Sequence, residues 1–428
     1  MPPAGQRPDR PGPRPIALHL TAAAMACHGA ALGLPILRSR PELWHPELRA
    51  EAARLASDLA GVPPEAIAGA VAAEADRRFR GFLAAVEAYR RHPARRRLEA
   101  PPAVWRQGTT RLLDFGAGRK RPGAPVLVVP SLINRWYVLD LSAERSFLRM
   151  LRRRGLRPLV VDWDAPGPEE RGFGLDRYIA GRLEAALDAA VALAGAPVGL
   201  IGYCMGGLLA LALALRRPDA VAALALLATP WDFAAGQPEQ ARLAAAALPL
   251  LEPLLAAGEA PVDLLQALFF ALDPFQVVEK YRRFARLDPD SPRAAGFVLL
   301  EDWLNDGVPL AAPLFRECLA GWYGENRPGR RRWRVAGGLV DPAALRCPAL
   351  VVLPGRDRIV PPPSAAALAD ALPRADRLTP AAGHIGMVAG ETAPAAVAAP
   401  VGDWLRTWLR TWLRPGRRPR LQGRREAL

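Results

Sequence analysis

Lysine is almost missing from this chain of 428 residues. It occurs only at Lys120 and Lys280, while lysine and arginine together number 57, so the basic character is arginine. The formal net charge of +15 would suit a polyanionic partner. Basic residues are not interleaved with aromatics as in a nucleic-acid surface, however, and the richness in Ala, Pro and Gly makes compositional bias the simpler account. No nucleic-acid partner is expected. Cysteine is scarce: Cys27, Cys204, Cys318 and Cys347, with no Cys-x-x-Cys pair. That excludes a disulfide framework and a thiolate metal site, and fits free thiols in a reducing cytoplasm. Cys318 and Cys347 are expected in the core. A long hydrophobic run is lacking too. The nearest, residues 16–37, is interrupted by His19, His28, Gly29, Gly33 and Pro35, which argues against a membrane span or a signal peptide. A docking or surface-seeking helix is expected there, after a disordered Pro/Arg-rich tail, residues 1–15.

What is present is enough apolar material, 51% of residues, for a large core. Residues 47–59 and 64–89 carry apolar positions three and four apart and predict two helices. His92-Pro93 and Pro101-Pro102 mark a linker. From Val126 onward the pattern alternates. Strands are predicted at 126–129, 159–162, 198–203, 222–227 and 349–353, with helices at 142–154 (capped by Ser142, ended by Gly155) and 176–194. Such alternation implies an α/β fold with a mostly parallel central sheet. Residues 232–346 break the rhythm. Helices are predicted at 239–248, 262–271 and 276–285, with one strand at 333–336, and together they read as a helical cap inserted over the strand ends. Trp404, Trp408 and Trp412 fall on one helix face and read as core packing. The expected organisation is a helical N-terminal extension at 16–104, a core at 105–232 and 347–413, a cap at 233–346, and a basic tail at 414–428.

The chemistry concentrates at Gly202-Tyr203-Cys204-Met205-Gly206-Gly207, between an apolar strand and an apolar helix. This is a nucleophile elbow, in which a sharp turn presents the nucleophile and the glycines let strand and helix approach. The nucleophile here is a thiol. A thiolate stores an acyl group as a thioester, which keeps the driving force for ester formation, so Cys204 suits acyl transfer from a coenzyme A thioester better than simple hydrolysis. The thiol needs a base, and His384 is the one histidine downstream of it; Asp357, just after a late strand, is the expected orienting acid, with Asp341 and Asp306 as rivals. The backbone N–H of Met205 is one expected oxyanion donor, and that of Leu132 or Ile133 the other. Arg152-Arg153-Arg154 could meet coenzyme A phosphates, although a solvated helix end is the simpler account.

With these residues in view, the chain resembles the poly(3-hydroxyalkanoate) synthase family. The box Gly-x-Cys-x-Gly-Gly is matched at residues 202–207. Similar segments are Val129 to Leu141, Asp162-Trp163, Thr229-Pro230-Trp231-Asp232-Phe233, Trp322-Tyr323-Gly324-Glu325-Asn326, Gly355 to Pro361 and Gly383-His384-Ile385. The resemblance implies an α/β-hydrolase fold and a cytoplasmic enzyme that polymerises (R)-3-hydroxyacyl groups from coenzyme A thioesters, without metal or other cofactor. It implies that Cys204 carries the chain, that His384 deprotonates the thiol, and that Asp357 acts on the 3-hydroxyl of the substrate. It further implies a homodimer or a partner subunit, and a possible place on the storage-granule surface. Two other readings of the same residues are a cysteine-dependent thioesterase or esterase and a non-catalytic granule protein.

Overall fold

The computed structural model describes residues 10–120, 123–236, 238–274 and 276–412. The expected tail at 414–428 and the first nine residues lie outside them. The chain divides into two compact units, residues 1–95 with 269–305, and residues 96–268 with 306–428. This division differs from the sequence expectation: residues 269–305, read as cap, cluster with the N-terminal helices.

The first unit is helical. Helix Pro64–Arg91 buries Phe82, Ala85, Val86 and Tyr89, spaced three and four apart. These side chains form one core with Tyr281 and Phe284 of helix Gln276–Phe284 and with Ala294 and Val298 of helix Pro292–Asn305. The expected helix over the N-terminal apolar stretch is Ile16–Ser39. Its preceding segment is anchored where disorder was expected. Arg10 is buried, pairs with Asp302 at 2.6 Å and donates to the carbonyls of Tyr89, His92 and Ala94. Among the described residues, no helix is long and apolar enough to cross a membrane.

The second unit is built on an eight-stranded sheet: β1 Ala103–Gln107, β2 Thr110–Asp114, β3 Ala124–Val129, β4 Leu156–Asp162, β5 Val198–Tyr203, β6 Val221–Leu227, β7 Ala349–Val352 and β8 Ala375–Leu378. Their order is β1-β2-β4-β3-β5-β6-β7-β8; β2 runs antiparallel to both its neighbours, β1 and β4, and all other pairs are parallel. β3, β5 and β6 are buried along their whole length, as central parallel strands must be when helices cover both faces. Sequence periodicity misses β1 and β2, a hairpin turned at Gly108 (φ 58°), and also the polar edge strand β8.

Three local expectations need correction. The helix after β3 begins at Phe147 rather than 142, because Ser146 is the cap, accepting from Arg149 N–H at 2.9 Å; Ser142 makes an earlier turn by accepting from Arg145 N–H. On the terminal helix Ala399–Trp412, the buried stripe is Val401, Leu405 and Leu409. Trp408 is exposed, and the Trp404 indole donates to Asp376 at 2.6 Å; the side chain of Trp412 lies outside the described residues. Cys318 is buried as expected, but Cys347 is half-buried.

Candidate functional site

The geometry of the candidate site is set by the end of β5. Cys204 sits between that strand and helix Met205–Arg216 at φ 55°, ψ −128°, a left-handed backbone that a non-glycine residue adopts only under strain. Its N–H donates to Leu227 O at the tip of β6, and its carbonyl accepts from Gly207 N–H, both at 2.9 Å. The glycines are required by contact. A Cβ on Gly207 would lie 2.7 Å from Thr229 Cβ, and one on Gly206 would lie 2.6 Å from Pro130 O. The elbow therefore presses against the loop after β3.

Two loops bring the other groups to the sulfur. Gly355 N–H donates to Pro380 O at 3.1 Å and Arg356 N–H to Ala382 O at 3.0 Å, so the segments after β7 and β8 run side by side. Asp357 Oδ2 lies 2.7 Å from His384 Nδ1, and Asp357 Oδ1 accepts from the N–H groups of Ile359 and Val360 at 2.8 and 2.9 Å. Asp357 and His384 are buried, while Cys204 is half-buried and approachable. The side chain of Cys204 is in hydrogen-bonding reach of His384. Burial by itself would lower the imidazole pKa. The charge of Cys204, hydrogen bonds with Asp357 and Cys204, and the charge of Asp357 outweigh it and raise His384 to about 10. The arrangement sets the Cys204 sulfur beside the imidazole, with the Asp357 carboxyl group behind it.

The structure thus brings together Cys204, Asp357 and His384. It places the two rival acids elsewhere: Asp341 caps a short turn through Ala343 N–H, and Asp306 accepts from the Tyr137 hydroxyl at 2.8 Å. Met205 is the first residue of the elbow helix, where an N–H has no partner inside the helix. In the loop after β3, Leu132 is buried, and Ile133 N–H leans on Ser131 Oγ at 3.4 Å. Arg152, Arg153 and Arg154 precede β4, at the sheet edge opposite the strand tips, so they are remote from the sulfur.

Four aromatic residues escaped the sequence reading of the site. Tyr203, the first variable position of the box, donates its hydroxyl to His384 O at 3.1 Å and lays its ring 5.3 Å from the imidazole. Phe233 packs against Trp322 and Tyr323, with centroids 5.9 and 4.9 Å apart. Asn326 fixes this cluster by accepting from Phe233 N–H at 3.0 Å and donating to Asp232 at 2.8 Å. Tyr323 is the exposed member of this cluster and lies within electrostatic range of Cys204. The matched segments at 229–233 and 322–326 were the available signal.

Comparison with known proteins agrees with this fold. The sequence model of the α/β hydrolase fold matches residues 124–390. The chain is 30% identical over 297 residues to poly(3-hydroxyalkanoate) polymerase subunit PhaC of Allochromatium vinosum, covering 68% of this chain and 82% of that protein. It is 32% identical over 273 residues to the protein of the same name from Synechocystis sp., covering 61% and 72%. Against the Haloferax mediterranei protein of that name the identity is 28%, over 70% of this chain and 62% of that one. The chain belongs to the poly(3-hydroxyalkanoate) polymerase family, on the α/β-hydrolase fold.

Proposed function

We propose that this protein polymerises 3-hydroxyacyl groups from coenzyme A thioesters into a polyester, with Cys204 as the acyl carrier. The observation that carries this reading is a cysteine at the strained elbow, in reach of an imidazole that Asp357 orients. The thiolate of Cys204 attacks the thioester carbonyl carbon. The carbonyl oxygen becomes an oxyanion and takes hydrogen bonds from the N–H of Met205 and of the loop at Leu132 or Ile133. The carbon–sulfur bond to coenzyme A breaks as His384 gives its proton to the departing thiolate. The 3-hydroxyl of a second acyl unit then attacks the acyl-cysteine, passes its proton to His384, and the new ester leaves Cys204 free.

The geometry supports one refinement of the role that family resemblance implies for Asp357. Both its oxygens are occupied, one by His384 and one by two backbone N–H groups, and it is buried. This favours an action on the substrate hydroxyl through His384. The chemistry needs no metal or further cofactor, since coenzyme A arrives as part of the substrate. Polymer wins over free acid only if water is kept from the acyl-cysteine, and the Phe233, Trp322 and Tyr323 cluster supplies an apolar wall for that purpose. We further infer a cytoplasmic protein that works with a second subunit, of its own or another kind, and meets the polyester at a storage-granule surface. The word "subunit" in the relatives' names supports the partner.

Incubation of the full chain with 3-hydroxybutyryl-coenzyme A tests the reading. Insoluble polyester with release of coenzyme A is expected. Free 3-hydroxybutyrate with no polymer would favour a thioesterase instead, and unchanged thioester would leave only a non-catalytic role.

A further inference from the structure

Residues 306–308 form a short strap laid along the loop that follows β3. Asn134 and Gly307 make an isolated antiparallel bridge, and Val308 N–H donates to Ile133 O at 3.4 Å. Asp306 accepts from the Tyr137 hydroxyl at 2.8 Å and stands 3.6 Å from Arg135 Nε. The strap is itself closely packed, since a Cβ on Gly307 would lie 2.9 Å from Val262 Cγ1. The same loop is held from its other side by residues at the tip of β4. The Trp163 indole donates to Pro130 O at 3.1 Å, and Arg135 donates to Asp164 at 2.5 Å. Leu132 and Ile133, the two candidates for the second oxyanion donor, therefore sit on a segment tied down on both flanks.

We propose that Asp306 is a positioning residue for acyl transfer: with its strap it fixes the loop after β3 so that the loop's N–H meets the oxyanion. The inference rests on the acyl-transfer reading above. Asp306 touches none of the reacting atoms. Its effect is expressed through Arg135 and Tyr137, which flank the donor segment on the C-terminal side. An oxyanion donor must stand within about 2.7–3.1 Å of the oxygen, and a misplacement of about 1 Å costs on the order of 100-fold in rate. The Asp306 carboxylate is half-exposed, so its hold is weaker than that of a buried pair. The effect of removing it is about tenfold, below the roughly 100- to 1000-fold cost of deleting a donor outright.

The experiment compares wild type with Asp306→Ala, Asp306→Asn and Tyr137→Phe, using two readouts on the full chain. One is the rate of alkylation of Cys204 by iodoacetamide, a displacement at saturated carbon that forms no oxyanion. The other is the steady-state release of coenzyme A from 3-hydroxybutyryl-coenzyme A. Alkylation should stay within about twofold of wild type in all variants. For Asp306→Ala, kcat should fall about tenfold with KM nearly unchanged. Asp306→Asn and Tyr137→Phe should lose less, because the first keeps an acceptor for Tyr137 and the second keeps the Arg135 contact. Wild-type kcat in Asp306→Ala overturns the inference, and so does a parallel fall of both readouts, which would mark general damage. A wild-type protein that is alkylated but releases no coenzyme A overturns the acyl-transfer reading beneath it.

Discussion

At the scale of the residue, the decisive pair is Cys204 and His384. The imidazole is buried, which alone would depress its pKa, yet its interactions with Cys204 and Asp357 hold it at about 10. The sign of each substitution follows. Cys204→Ser removes the thiolate, so burial regains ground and the His384 pKa should drop well below 10 in an NMR titration. Coenzyme A release should fall by about 100-fold or more in the same variant, because a serine hydroxyl is a far weaker nucleophile than a thiol beside a base. Asp357→Asn removes a hydrogen-bonding anion and should shift the same titration downward. In the proposed mechanism the imidazolium is the proton donor to the departing thiolate. Wild-type activity should therefore persist from neutral pH until the medium passes about 10, and in Asp357→Asn the alkaline loss should begin earlier. A pH–rate profile whose alkaline limb does not move would contradict this assignment.

At the scale of the element, the link between the segments at 229–233 and 322–326 is Asn326. It holds φ at 52° and makes two side-chain hydrogen bonds. Asn326→Ala should cost about 2 kcal/mol, combining the lost bonds with a left-handed backbone that alanine resists. Asn326→Gly should recover the backbone part. Denaturant midpoints of the two variants measure the difference, and equal midpoints would refute the backbone contribution.

Much of this architecture was legible because fully buried parallel strands are plain apolar runs: β3, β5 and β6 could be read directly, and the elbow followed from its glycines. Cys204, His384 and Asp357 were legible because chain order in this fold leaves few candidates. What could not be read depended on partners distant in sequence. The edge strands β1 and β8 carry polar faces. Ser142 and Ser146 each accept from an N–H three residues on, so the choice of helix cap turned on where the helical backbone begins. The tryptophan stripe at 404 and 408 looked like core, yet Leu405 and Leu409 face β5, where a Cβ on Gly199 would lie 3.2 Å from Leu409 Cδ1.

At the scale of the whole molecule, arginine's dominance has a structural use within each unit. Its planar fork pairs with carboxylates through two bonds, as in Arg149 with Asp140, Arg157 with Asp114 and Arg316 with Glu252. In the first unit, Arg10 joins the N-terminal segment to Asp302 and to the carbonyls that end helix Pro64–Arg91. Arg10→Ala should destabilise that unit by about 3 kcal/mol, the scale of a buried pair broken on one side. Arg10→Lys, which cannot reproduce the fork, should recover little. Hydrogen exchange of the amides in residues 64–91 reads the effect, and unchanged protection would show that the pair is dispensable.

The central claim is that the acyl group passes through one sulfur. Acid-stopped mixtures of protein and 3-hydroxybutyryl-coenzyme A, digested and mapped by mass spectrometry, test it most directly. The account predicts a 3-hydroxybutyryl adduct on the peptide containing Cys204, absent from Cys204→Ala. An adduct on Cys318 or Cys347 instead, or polyester formed by Cys204→Ala at the wild-type rate, would contradict it.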